Sequence, residues 1–111
     1  MRKLVFLTIS TLFLSSPVFS HPPSDIKVSI QGSEVKCDIL HSVADPAKHY
    51  IYEVKVDLNG IKVIEQQLET QTDNDKQSVV YIIPSLKKSD KLAIWAHCNK
   101  GGEQSKEVSV N

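Results

Sequence analysis

Residues Tyr50 to Leu68 read YIYEVKVDLNGIKVIEQQL. In the first half, Tyr52, Val54, Val56 and Leu58 fall on one side of an extended chain, with Ile51 on the other. Asn59-Gly60 then interrupts the pattern. This dipeptide suits a two-residue hairpin because both of its residues tolerate positive φ. Ile61 to Leu68 is therefore the return strand. A strand, a tight turn and a return strand, with no helical i, i+3, i+4 spacing, describe a hairpin here.

The same alternation extends in both directions from this hairpin. Upstream, Ile26, Val28 and Ile30 alternate with Lys27 and Ser29, Gly32-Ser33 turns the chain, and Val35, Cys37, Ile39 and His41 share a face. Downstream, Thr70 to Lys76 is a polar loop, expected to be mobile. Val79 to Ile83 is a short apolar run ended by Pro84, and Leu92, Ile94, Ala96 and Cys98 share a face opposite Trp95 and His97. Lys100-Gly101-Gly102 leads into a last strand near Lys106 to Val110. No stretch shows helical spacing over a useful length. About seven antiparallel strands, spaced roughly ten residues apart, predict an all-β, immunoglobulin-like β-sandwich.

The chain has 111 residues, which allows one small domain. Met1 to Ser20 (MRKLVFLTISTLFLSSPVFS) has Arg2 and Lys3 ahead of an apolar run from Leu4 to Leu14, and Val18-Phe19-Ser20 forms a cleavage site. That run is too short for a transmembrane helix, which needs about 20 apolar residues. Residues 1–20 are therefore expected to be a cleaved signal peptide, and residues 21–111 the domain itself. Removing Arg2 and Lys3 turns a balance of 13 basic and 13 acidic residues into a slight acidic excess. No basic stripe is present, so nucleic acid is not an expected partner. The mature form is expected to be periplasmic or secreted, with no membrane segment, in a compartment where disulfides persist.

Two cysteines and four histidines are the residues able to carry chemistry. No nucleophile–base arrangement, phosphate loop or recognisable carboxylate pair accompanies them. In a sandwich of this topology the second and sixth strands run the same way in opposite sheets. The end of the His41 strand, the loop to His49 and the end of the Cys98 strand then share one pole. Imidazoles with a thiolate suit iron, zinc or copper. If the chain is cut after Ser20, His21 gains a free α-amine beside its imidazole, a pair that chelates copper.

The segment HSVADPAKHYI from His41 to Ile51, the later Asn59-Gly60, and Ala96-His97-Cys98-Asn99 before a glycine turn resemble the iron domain of the desulfoferrodoxin and superoxide reductase family. His21 to Ile26 (HPPSDI) resembles the start of a small exported subgroup. The resemblance covers roughly Ile39 to Val110. It implies an immunoglobulin-like fold, one iron held by four histidines and an axial cysteine, and superoxide or another small redox species as the reacting partner. Matched position by position, it assigns His41 and His49 as ligands and Cys98 as the axial thiolate. The family's next histidine falls on Gly101, so that ligand is missing. Its first histidine lies in a Lys-His segment that has no counterpart here, which leaves His21 as the N-terminal candidate. The expected metal set is thus His41, His49, Cys98 and His21. Catalytic residues, an electron donor and a protein partner are not specified.

A rival use of the cysteines leads to a different class of function. Cys37 and Cys98 face inward on strands of opposite sheets, 61 positions apart, as in the bridge of immunoglobulin domains. A disulfide closing that loop would contribute on the order of 4 kcal/mol. It would make the domain a stapled, non-catalytic binding or assembly module. Register opposes it. Cys37 lies four residues up the strand from His41, about 13 Å along it, whereas bridged Cα atoms stand within about 7 Å.

Overall fold

The structure is a computed structural model that describes residues 21–111. The signal peptide expected over residues 1–20 lies outside them. Seven strands form: β1 (Asp25–Gln31), β2 (Glu34–Leu40), β3 (Ile51–Leu58), β4 (Ile61–Gln67), β5 (Lys76–Ile82), β6 (Lys91–Cys98) and β7 (Glu103–Ser109). They make two antiparallel sheets, of order β1-β2-β5 and β4-β3-β6-β7. The fold is the immunoglobulin-like sandwich that the alternation predicts. Strand β5 begins at Lys76, three residues before its apolar run, and β7 begins at Glu103, earlier than the Lys106 expected from hydropathy. Polar residues at a sheet edge pair through their backbones without an apolar signature.

The core lies between the sheets. Ile26, Val35, Cys37 and Ile39 of the smaller sheet meet Val54, Val56, Leu92, Ile94 and Ala96 of the larger, all fully buried. Burying each such aliphatic side chain is worth roughly 1.5–3 kcal/mol before conformational entropy is counted. The Asn59-Gly60 turn forms as the dipeptide requires, with φ of 52° and 86°. Asn59 also ties two strand ends together. Its Oδ1 accepts from the Lys91 amide at 2.9 Å, and its Nδ2 donates to Asp90 at 3.0 Å.

One face assignment changes. Alternation groups Tyr52 with Val54 and Val56, yet Tyr52 is exposed, and Ile51 is fully buried beside the valines. The pairing of β3 with β6 shifts between Ile51 and Glu53, a bulge that reverses the pleat at Tyr52. Strand β3 thus enters the sheet with Ile51 paired to Cys98 and pointing into the core.

Topology then collects the chemistry-bearing residues. Strand β1 starts where β2 ends, with Asp25 paired to Leu40. Strand β3 starts where β6 ends, with Ile51 paired to Cys98. His21 precedes β1, His41 follows β2, His49 precedes β3 and Cys98 closes β6. All four stand at one end of the sandwich.

The opposite end carries an acid-sensitive contact. Asp90 accepts from Asn59, from the Lys87 amide at 2.9 Å and from Lys87 Nζ at 3.3 Å. The Asn59 hydrogen bond first, and then the Lys87 amide, hold its carboxyl below the ordinary value of 3.8. A carboxyl depressed on folding stabilises the fold above its unfolded value, and that contribution is lost as pH falls through the folded value. Asp90→Asn is expected to lower the thermal midpoint at neutral pH. Its difference from the parent should close as pH drops below 3.8. A difference independent of pH would contradict this assignment.

Candidate metal centre

Between β2 and β3, residues 41–49 are shaped by Asp45. Its side chain accepts from the Ala47 amide, and its carbonyl accepts from Lys48 and His49. This turn carries His49 back over the pole. Asn99 then fixes His49 beside Cys98. The Asn99 side chain accepts from the Tyr50 amide at 2.9 Å and donates to the Lys48 carbonyl at 3.0 Å, while its own amide donates to the Tyr50 carbonyl. The residue after the cysteine therefore clamps both sides of the histidine onto the end of β6. His49 Nε2 lies 3.2 Å from Cys98 Sγ.

His41 is buried and held in one tautomer. Gln71 Nε2 donates to the carbonyls of His41 and Asp73, which fixes Gln71 Oε1 as an acceptor. That oxygen is 2.8 Å from His41 Nδ1, so Nδ1 carries the proton. Nε2 is then a bare lone pair. Among the described residues it has no hydrogen-bond partner and is buried, an expensive state for a polar atom unless something binds it. A carbonyl-type acceptor on the distal nitrogen is the usual support for a metal-bound imidazole. Gln71 lies in the Thr70–Lys76 segment expected to be a mobile loop, yet it is almost fully buried. The segment is pinned by Gln71 N to Pro46 O and by the His41 and Val43 amides to Asp75 and Asn74 carbonyls.

His21 completes the group from the N-terminal side. Pro23 is fully buried, and Gln104 donates to its carbonyl at 3.2 Å. Pro22 packs on Gly102, where a Cβ would sit 2.9 Å from the Pro22 nitrogen. Gly102 also has φ of +92°, so only glycine serves this contact comfortably. The His21 ring stays exposed but lies 5.1 Å from the His41 ring and 5.2 Å from the His49 ring, centroid to centroid. The His41 and His49 rings are 4.8 Å apart.

One ligand atom from each of His21, His41 and His49 lies within 4.8 Å of the other two. Cys98 is not one of the three, but its Sγ touches His49 Nε2. The Lys100 amide also donates toward Cys98 Sγ at 3.4 Å. Burial, followed by the charges of His41, His21 and Lys100, lowers the basicity of His49. A neutral imidazole is the form that binds a metal.

Other residues are set apart from this group. His97 points to the outer face of the sheet, 2.7 Å from Glu103 and 3.7 Å from Glu53. Cys37 and Cys98 are both free thiols. Cys37 is enclosed in the core, where burial pushes its thiol up to about 11. Gly101, at the position of the absent family histidine, forms the tight turn after Cys98 with φ of +105°. With Tyr50, Tyr52, Cys98 and Asn99 it lines an open depression of about 400 Å³.

The fold and the pole together define an immunoglobulin-like sandwich with a histidine-rich end beside a free cysteine. No protein-family model and no curated protein matches the chain. Solved structures do match. The superoxide reductase (1Fe-SOR) of Giardia intestinalis aligns over 80% of this chain and 99% of its own, with TM-score 0.63 and 18% identity. Two variants of the superoxide reductase (neelaredoxin) of Ignicoccus hospitalis also align. One covers 78% of this chain and 79% of its own, with TM-score 0.49 and 18% identity. The other covers 82% and 81%, with TM-score 0.47 and 19% identity. The chain has the superoxide reductase fold.

Proposed function

We propose that this domain is exported and holds one iron ion through His21, His41, His49 and Cys98, with superoxide or a related small oxidant as its reacting partner. The observation that carries the reading is the buried His41 Nε2. Among the described residues it has no hydrogen-bond partner, its tautomer is fixed by Gln71, and its ring stands beside two further imidazoles. The donors present fit such an ion, because imidazole nitrogens with one thiolate suit iron, and also zinc or copper. Iron is favoured by the likeness of fold to superoxide reductases.

Iron bound here would supply one-electron chemistry to a small oxidant. The protein's part is to hold and tune the donors. Gln71 orients His41, Asn99 holds His49 against Cys98, and the Lys100 amide donates toward the Cys98 sulfur. Lys48 and Lys100 are exposed at the same pole and attract a small anion.

Protein purified without oxygen from its exporting host is expected to contain about one iron per chain and to show two free thiols after denaturation. Metal-free protein without free thiols would contradict the reading. It would favour instead the disulfide-stapled binding module.

A further inference from the structure

We infer that the α-amine of His21, freed by cleavage after Ser20, is a fourth nitrogen donor to the metal at this pole. The inference rests on the metal-binding reading above and deepens it. Three imidazoles and one sulfur give four donors, one fewer than the four histidines and one cysteine that the family resemblance implies. The missing histidine falls on Gly101, whose φ of +105° sits in a tight turn, so this position supplies no side-chain donor.

His21 makes good the deficit by itself. With an α-amine and an imidazole on one residue, it closes a six-membered chelate ring through the amine nitrogen and Nδ1. Pro22 restricts the alternatives, because the His21–Pro22 peptide has no N–H to lose and so cannot offer an amide nitrogen as a donor. The terminal residue is also held in place. Pro22 packs against Gly102, Pro23 is buried, and the Ser24 amide donates to the Leu40 carbonyl at 2.8 Å. The His21 backbone therefore rests on the same turn that carries Cys98, and its carbonyl carbon lies 3.3 Å from the Cβ position of Gly102. An amine tethered to a bound imidazole meets the ion at a high effective concentration. The metal site would then be completed by export, since the amine exists only after cleavage.

The test compares two forms of the domain. The seven strands and the core of the described residues lie within residues 21–111, so both forms contain them. One begins at His21 and the other retains Ser20, which converts the amine into an amide. Anaerobic competition titrations with iron(II) should show one ion per chain in each, bound roughly 10- to 100-fold more weakly by the Ser20 form. Cobalt(II) should report the lost donor as stronger d–d absorption, from fewer ligands, in the Ser20 form. Thermal midpoints of the metal-free forms should coincide. Mass spectrometry of the exported protein should find His21 as the first residue. Equal affinities with identical cobalt spectra, or an exported chain that begins elsewhere, would overturn the inference and leave the metal site standing. Absence of metal binding by both forms would defeat the site and this inference together.

Discussion

Replacing His41 by alanine is expected to lower iron(II) affinity by roughly 100-fold or more and to leave the sandwich folded. His41 is the most enclosed of the three clustered imidazoles, and its buried Nε2 has no hydrogen-bond partner among the described residues. Its loss removes one of the three clustered imidazoles and the buried wall of the cluster. His97→Ala is the matched control, since it deletes an imidazole one residue from Cys98 but on the outer face of the sheet. Iron titration with circular dichroism should separate the two. Loss of metal in the His97 variant with retention in the His41 variant would reverse the assignment.

Gln71→Leu is expected to weaken iron binding by about 10- to 100-fold without removing any ligand. It should also destabilise the metal-free protein by about 1–3 kcal/mol, because the His41 Nδ1 proton and the His41 carbonyl would be left buried and unpaired. Gln71→Glu keeps an acceptor for Nδ1 and should retain more of the affinity. Denaturant melts and iron titration of the three proteins check both parts. Unchanged affinity in the leucine variant would show that the tautomer of His41 is set by something other than Gln71.

The two effects differ in how far the sequence announces them. His41 is legible because period-two alternation puts it on the face of Val35, Cys37 and Ile39, and because β2 and β6 must end at the same pole. Cys98 and His49 follow from the same topology. His21 is the candidate that sequence reaches least directly. Its approach depends on the Gly102 cradle and buried Pro23, contacts across about 80 residues that local patterning does not encode. Gln71 carries no signal at all, since a glutamine amid threonine, aspartate and asparagine reads as solvated loop. A metal-bound histidine needs an acceptor on its other nitrogen, but that requirement does not say where the acceptor lies. Tyr52 shows a different limit. Alternation reads through a bulge as though the pleat were unbroken, so a one-residue insertion next to the site moved Tyr52 outward and Ile51 inward.

The cysteines show how register decides between chemistries. Sequence places both on inward faces of opposite sheets, and that alone suits a bridge. In the fold, Cys37 pairs with Val79 inside β2 and β5, whereas Cys98 pairs with Ile51 at the end of β6. The first thiol belongs to the core and the second to the pole.

X-ray absorption at the iron edge, on protein beginning at His21 and loaded with one equivalent of iron(II), reads the donor set itself. The expected first coordination shell is imidazole nitrogen with one sulfur, the sulfur being lost in Cys98→Ala. A shell of oxygen and nitrogen without sulfur, unchanged in the Cys98 variant, would contradict it.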